Sequence, residues 1–276
     1  MSKLFCQENF FSLFNKIVRR DSPSAKFAAG LLGAFANIAA PRRDIARRNL
    51  ELVFPVKAKF KRERILKESY KNLIWSFFEY ATWQNDPAGV DRIVVEVRGR
   101  EYLEEAVATN RKIIAVSACL GNWPLIAAWM KRQLRFSCLF NRQEEMASLN
   151  DESLAVCLAS EFQNNDVLCV AGDRHGGDTG VLLPFLGQTV NTSTIAARSA
   201  LLSGAMVLIV TCTRLSPYRC RVNIGFPPEG GTPEEMTETN FLTLQINREL
   251  ERRILQFPEQ WLWQQKRFKE VIDERL

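Results

Sequence analysis

The residues best suited to acid–base chemistry lie in the segment GDRHGGDTG at positions 172–180. It follows the run at 166–171, which is apolar after Asp166 and is typical of a buried strand. The segment holds Asp173, Arg174 and His175, which are an acid, a cation and a titratable ring. His175 is the single histidine of the chain, so an imidazole base would have to be this residue. The alternative is an ordinary polar loop in which Asp173 pairs with Arg174.

A second candidate loop, at 118–124, follows the strand predicted at 112–117, which is apolar from Ile113 to Val116. In open α/β sheets ligands bind at the carboxyl ends of the strands, so a turn of small residues there is suited to form the wall of a site. Cys119 in this loop would be a nucleophile if its pKa were lowered and a base lay beside it. A buried, inert cysteine is the alternative, and it is the common case. Neither G-x-G-x-x-G nor the Walker pattern occurs, which excludes these nucleotide-binding motifs.

The composition supports a folded protein and argues against a metal site. The 276 residues are 46% hydrophobic and carry 37 Lys and Arg against 31 Asp and Glu, for a net charge of +6. This content supplies a sizeable core. One histidine excludes multi-histidine metal sites, and the seven cysteines form no CxxC pair and no zinc-like spacing. We therefore expect no metal and no cofactor, and a reducing compartment in which most cysteines are buried apolar residues.

Short apolar runs alternate with helical patterns through most of the chain. Helices are predicted at 44–54, 60–83, 101–109, 123–132, 151–163, 191–203 and 237–256, and strands at 93–97, 112–117, 136–140, 166–171, 205–213 and 218–226. Fully apolar strands that alternate with helices predict an α/β fold with a central, mostly parallel sheet flanked by helices on both faces. Since no linker or repeat divides residues 41–276, we expect them to form a single α/β domain.

The positive charge of the chain is concentrated at 41–71. This segment has eleven Lys and Arg and four acids, so its net charge of +7 (11 − 4) exceeds the +6 of the whole chain. The apolar run before it, 24–40, is shorter than the roughly 20 residues that a spanning helix needs. Adjoining apolar and basic segments predict that residues 1–40 form a helical, membrane-facing extension. The basic residues expected to contact anionic lipid head groups are Arg42, Arg43, Arg47 and Arg48.

Two other interpretations of the basic segment remain. Its helices would pack on the domain and present a solvated basic face, or that face would bind nucleic acid. We expect no nucleic-acid partner, because aromatic residues that could stack on bases are few among the basic ones.

Several motifs, taken together, resemble a known family. They are CLGNWP at 119–124, Asp173, GVLLPFLG at 180–187, NTSTIAARSALLSGA at 191–205 and PEQWLWQQKRFK at 258–269, preceded by IARRNLELVFP at 45–55 and ESYKNL at 68–73. In this order they resemble the bacterial lipid A biosynthesis acyltransferases. The resemblance implies a glycerolipid acyltransferase-like fold. It also implies substrate-binding roles for Asn122, Trp123, Arg142, Asp173 and Arg174.

The resemblance further implies an activity and its partners. Members transfer a fatty acyl group from a thioester of acyl carrier protein or coenzyme A to a hydroxyl of a membrane glycolipid, at the cytoplasmic face of the bacterial inner membrane. In the family, a histidine and an acid with four residues between them form a catalytic dyad. The histidine takes the proton of the acceptor hydroxyl. At the matching positions this chain has Cys119 and Pro124, so both halves of the dyad are replaced.

Three hypotheses follow from the replaced dyad. The protein is an acyltransferase in which His175 is a replacement base, or one in which Cys119 takes the acyl group as a thioester. In the third, it is a catalytically inactive pseudoenzyme that binds lipid or acyl carrier, with a regulatory or scaffold role. The change of two catalytic positions favours the third. A soluble module with no lipid ligand would leave the apolar 24–40 run and the resemblance unexplained.

Overall fold

The computed structural model describes residues 42–230 and 234–273. The predicted membrane-facing helices at 1–40 lie outside the described residues.

Six strands form the central sheet. In chain order the strands are β1 (Val94–Arg98), β2 (Ile113–Ser117), β3 (Phe136–Cys138), β4 (Val167–Ala171), β5 (Val181–Phe185), β6 (Gln188–Thr192), β7 (Met206–Ser216) and β8 (Arg219–Gly225). The sheet has the order β1-β8-β7-β2-β4-β3, and β5 and β6 form a separate hairpin. Every neighbouring pair in the sheet is parallel except β7 and β8. The predicted α/β class with a mostly parallel sheet is therefore confirmed.

Helices flank this sheet. They are α1 (Arg43–Val53), α2 (Lys59–Asn85), α3 (Gly89–Ile93), α4 (Arg100–Ala108), α5 (Trp123–Gln133), α6 (Gln143–Ser148), α7 (Asp151–Asn164), α8 (Ile195–Ser203), α9 (Glu238–Gln256) and α10 (Lys269–Asp273). The predicted helices α1, α2, α4, α5, α7 and α9 lie within two residues of their predicted bounds. The short helices α3, α6 and α10 were not predicted, because one or two turns are too few to show a helical period.

The central strands supply two apolar cores. In β2, Ile114 and Val116 belong to one core, while Ile113 and Ala115 belong to the other. Successive residues of a strand point to opposite faces, so the cores lie on opposite sides of the sheet. This is why the residues from Ile113 to Val116 are all apolar and do not alternate with polar ones.

The predicted helix at 191–203 is wrong at its start. Residues 191 and 192 end β6, and α8 begins only at Ile195. The hairpin turns through Leu186 and Gly187, which both have positive φ, as a two-residue type I′ turn requires. A leucine at such a position is uncommon, so the turn gives a weak sequence signal. The predicted strand 136–140 likewise ends early, at Cys138.

Among the helices at 42–230 and 234–273, none is long and apolar enough to cross a membrane.

Candidate functional site

A cavity of about 380 Å³ lies at the carboxyl ends of β2 and β3. Ser117 and Cys138 are the last residues of these strands, and both line it. The other lining residues come from α2, from the start of α5, from β4 and from two loops: Tyr80, Trp83, Trp123, Pro124, Ile126, Ala127, Phe140, Asn141, Cys169 and Arg174. The position matches the ligand sites of open α/β sheets, and the lining is mostly apolar, as in cavities that bind organic ligands.

Trp123 and Pro124 form the cavity wall at the start of α5. They are the first two residues of the helix, where a proline is tolerated because its missing N–H would have no partner in the helix. Asn122 caps the helix, since its side-chain oxygen accepts the N–H of Leu125 over 3.3 Å. The resemblance implies an acid at position 124. The cavity is lined there by the ring of Pro124, which has no proton to exchange.

Cys119 is fully buried and does not line the cavity. Its backbone N–H donates to Oδ2 of Asp173 over 2.8 Å. Burial and then the negative charge of Asp173 raise the pKa of the Cys119 thiol well above its ordinary value. A thiolate is the reactive form of cysteine, so these surroundings argue against Cys119 as a nucleophile.

Asp173 joins three segments of the chain. Besides the Cys119 amide, its Oδ2 accepts hydrogen bonds from Nε1 of Trp261 over 2.8 Å and from Nε2 of Gln265 over 3.1 Å. The carboxylate is fully buried. The N–H of Leu262 donates in turn to the carbonyl of Cys119 over 3.0 Å. Asp173 therefore acts as an anchor for the C-terminal segment, and the geometry gives it a positioning role.

Asn122 belongs to a second buried network. Its Nδ2 donates to Oε2 of Glu79 over 2.6 Å. Both oxygens of Glu79 accept from Arg214, at 2.9 and 2.7 Å, and Oε1 also accepts the N–H of Tyr218. Burial lowers the pKa of the Arg214 guanidinium, but the charge and hydrogen bonds of Glu79 raise it by more, so the group stays charged. The network fixes α2 and β7 against the loop that carries Cys119.

Gly121 allows this loop to pass close to β7. Its φ is +59°, and a Cβ there would lie 2.0 Å from the carbonyl oxygen of Cys212. The adjacent N–H of Asn122 donates to the same oxygen over 2.9 Å. Only glycine fits a position with both a left-handed backbone and a backbone oxygen at this distance.

His175 lies on a different cavity from the one that Pro124 lines. It faces a pocket of about 380 Å³ shared with Asp178 and Ser193. Its Nε2 contacts Oε1 of Glu270, and its Nδ1 accepts the N–H of Gly177 over 2.9 Å. Because Nδ1 is an acceptor, the proton of the neutral ring is assigned to Nε2 and points to Glu270. In this tautomer Nδ1 is the nitrogen that could serve as a base, and it already accepts the N–H of Gly177.

Glu270 is well placed to orient the His175 ring. Burial raises the pKa of Glu270, while the hydrogen bond from His175 and nearby charges lower it. The lowering effects are together the larger, so the pKa lies below its ordinary value. The carboxylate therefore stays ionised beside the imidazole. A histidine oriented by an acid is the arrangement that a general base needs, although here it lies away from Trp123 and Pro124.

The two candidate arginines have different surroundings. Arg174 lines both cavities, and its Nη1 donates to the carbonyl of Phe140 over 2.7 Å. Arg142 is the N-cap residue of α6, its side chain is half exposed, and it pairs with Glu161. Arg174 is thus placed to meet a ligand, while Arg142 does not line the cavity of Trp123 and Pro124.

The four arginines predicted to contact lipid also divide into two groups. Arg43 and Arg47 both donate to Glu63, with Arg47 Nε at 2.7 Å from Oε1. Arg42 and Arg48 are exposed. The turn after α1 and the start of α2 form a tip where Val56 is 99% and Phe60 is 70% exposed.

Several site residues were missed in the sequence. Tyr80 and Trp83 are three positions apart on α2, a helical spacing that could have marked them as a pair on one face. Cys138 and Cys169 each belong to a predicted strand, where a cysteine is expected to be a buried apolar residue. No local signal pairs Glu79 with Arg214, since 135 positions separate them.

Comparison with known proteins gives consistent results. The sequence profile of the family described as bacterial lipid A biosynthesis acyltransferase matches residues 17–155 and 141–270. The chain is 26% identical over 267 residues to a lipid A biosynthesis palmitoleoyltransferase of Escherichia coli (strain K12), which covers 90% of this chain and 85% of that protein. It is 24% identical over 245 residues to a lipid A biosynthesis lauroyltransferase of the same organism, with coverages of 83% and 79%.

Proposed function

Since the chain belongs to the bacterial lipid A biosynthesis acyltransferase family, we propose that it binds a fatty acyl thioester and a membrane glycolipid without the family's histidine-dependent transfer. The donor would be acyl carrier protein or acyl-CoA. The protein would work at the cytoplasmic face of the inner membrane, with residues 1–40 as a membrane-facing extension of a single domain at 41–276.

One observation carries this proposal. The titratable residues that line the cavity of Trp123 and Pro124 are Tyr80, Cys138, Cys169 and Arg174. None of these described lining residues is an imidazole or a carboxylate, the groups that most often take a proton from a hydroxyl. The cavity nevertheless keeps an apolar wall for an acyl chain and a positive charge on Arg174 for a carbonyl or phosphate oxygen.

Binding and transfer can be measured on the same preparation. Trp83 and Trp123 line the cavity, so lauroyl-CoA should change tryptophan fluorescence. Ala127→Trp would fill the cavity and weaken binding at least tenfold, while Val107→Trp on the exposed face of α4 is the matched control. With radiolabelled lauroyl-CoA and a lipid A precursor, we expect no product above the uncatalysed rate. Rapid ester formation would overturn the proposal.

A second candidate function has one observation in its favour, the contact between His175 and Glu270. In this alternative the pair supplies the base, and the protein transfers the acyl group to the glycolipid hydroxyl. A general base contributes about 10²- to 10⁴-fold in rate. If transfer is detected, His175→Ala must slow it by that factor, and a variant with the parental rate would exclude the pair as the base.

A further inference from the structure

Two thiols lie side by side in the cavity of Trp123 and Pro124. Cys138 ends β3, and its partner in the parallel register is Cys169 of β4. The N–H of Leu139 donates to the carbonyl of Cys169 over 2.9 Å and holds the strand ends together. Cys138 is exposed, whereas Cys169 is buried, and both line the cavity. Cys138 is therefore within reach of a ligand that enters the cavity.

The surroundings of Cys138 favour its thiolate. The hydrogen bond from Cys169 has the largest effect on the pKa of Cys138 and lowers it. Burial has the next largest effect and raises it. The N–H of Phe140 and the charges of Lys131 and Arg174 act in the same direction as Cys169, and together they lower the pKa of Cys138 to about 7. The same contact raises the pKa of Cys169. Because Cys138 is also the exposed member of the pair and Cys169 the buried one, Cys138 is the attacking thiol and Cys169 its hydrogen-bond donor.

We propose that Cys138 takes the acyl group from a bound thioester and holds it as an S-acyl group inside the cavity. The thiolate sulfur attacks the thioester carbonyl, a new carbon–sulfur bond forms, and the bond to the carrier sulfur breaks. The carrier leaves as a thiolate that takes a proton from solvent. One thioester replaces another, so no oxidant or further reactant is needed.

The cavity fits both ends of such an adduct. The apolar side chains of Trp123, Pro124 and Ile126 would surround the acyl chain. The guanidinium of Arg174 lines the same cavity and supplies positive charge for the oxyanion that forms during attack. The inference rests on the proposed function, because the acyl thioester must first bind in this cavity. It gives the protein a carrier role that needs neither an imidazole nor a carboxylate.

Intact-mass spectrometry of the whole protein with lauroyl-CoA tests the proposal. We expect a single added lauroyl group that neutral hydroxylamine removes. Cys138→Ala should lose the adduct and Cys157→Ala, a change at a half-buried cysteine outside the cavity, should keep it. Circular dichroism and thermal unfolding establish that each variant is folded. An adduct that persists in Cys138→Ala would overturn the proposal.

The pH dependence separates a positioned thiolate from an accessible thiol. In the parent the rate of adduct formation should rise with pH to half its maximum near pH 7. Cys169→Ala removes the donor, so the midpoint should move toward about 8.5 and the rate at pH 7 should fall roughly tenfold. An unchanged midpoint would contradict the role of Cys169.

Failure of this inference can be told from failure of the proposed function. If lauroyl-CoA changes tryptophan fluorescence and Ala127→Trp prevents this, but no adduct forms, Cys138 is not an acyl acceptor and the binding proposal stands. If lauroyl-CoA neither binds nor reacts, both proposals fail.

Discussion

The backbone N–H of Cys119 donates a hydrogen bond to Oδ2 of Asp173 over 2.8 Å. The two residues lie in loops that follow β2 and β4, which are neighbouring parallel strands. The bond joins the position where the resemblance implies a histidine to the loop that contains His175, the single histidine of the chain. Asp173 is fully buried, its Oδ2 accepts hydrogen bonds from backbone and side-chain donors, and the residue does not line the cavity of Trp123 and Pro124.

Replacement of Asp173 should destabilise the protein strongly. Asp173→Leu leaves three buried donors without an acceptor, on Cys119, Trp261 and Gln265. A buried unsatisfied donor costs about 1–3 kcal/mol. We therefore expect the free energy of unfolding, measured in urea, to fall by at least about 3 kcal/mol. Asp173→Asn keeps an acceptor oxygen and should cost less.

Asp178→Leu is the matched control for this change. It alters an exposed carboxylate in the same loop and should leave the stability within about 0.5 kcal/mol of the parent. Equal effects of the leucine changes at 173 and 178 would mean that Asp173 does not anchor the C-terminal segment.

Gly121→Ala should disrupt the loop that contains Cys119. The new Cβ would lie 2.0 Å from the carbonyl oxygen of Cys212, and the residue must keep a φ of +59°. The clash is with backbone, which cannot move without breaking the hydrogen bond from Asn122 to the same oxygen. We expect a loss of more than about 3 kcal/mol, measured by thermal unfolding.

Gly187→Ala provides the comparison. Gly187 also has a positive φ, +77°, but a Cβ there meets nothing within 4 Å. Only the backbone penalty remains, about 1–2 kcal/mol. If the two alanine variants unfold at the same temperature, the contact with Cys212 is not what requires a glycine at 121.

Glu79→Ala should be costly because it leaves a buried charge unpaired. The side chain of Arg214 is 4% exposed and that of Glu79 is 0% exposed. Removing one partner of a buried ion pair typically costs about 3–5 kcal/mol. Glu161→Ala removes the partner of the half-exposed Arg142 and should cost less than about 1 kcal/mol.

Replacing both members of the buried pair tests the cause of this loss. With Glu79→Met and Arg214→Met together, no charge is left buried, and part of the lost stability should return. A double variant that is as unstable as the sum of the two single variants would show that the pair does not interact as the structure indicates.

The sequence predicted those parts of the fold that local patterns determine. The run at 112–117, apolar from Ile113 to Val116, contains β2, which is buried on both faces. The strand β6, and with it the pairing of β5 and β6 as a hairpin, was missed because the turn at Leu186 and Gly187 lacks the usual Asn-Gly signal. Side chains placed by tertiary structure leave no such local signal.

The candidate site shows the same division. Trp123 and Pro124 were correctly predicted at a helix start that follows a strand, and they line the cavity. The contact of His175 with Glu270 joins positions 95 apart, and that of Arg214 with Glu79 joins positions 135 apart. Which distant groups meet depends on the order of the strands in the sheet, and the alternation of helices and strands does not determine that order.

The exposed tip between α1 and α2 should bind membranes. Val56 is 99% and Phe60 70% exposed, and Lys57, Lys59 and Lys61 lie beside them in the chain. Apolar side chains flanked by cations can insert among acyl chains while the charges contact anionic head groups. We expect the protein to pellet with phosphatidylglycerol vesicles and to be released by high salt, since the charge contribution is screened.

Changing Val56 and Phe60 together to serine should weaken this binding about tenfold or more, because the burial of one large apolar side chain is worth about 1.5–3 kcal/mol. Val107→Ser removes an exposed apolar side chain from α4 and should have no effect. Among the arginines, charge reversal at the exposed Arg42 and Arg48 should weaken binding by about 1 kcal/mol per residue. Reversal at Arg43 and Arg47 would also break their bonds to Glu63, so its effect should be partly on stability. Vesicle binding that is unchanged in the serine variant would show that the tip does not contact the membrane.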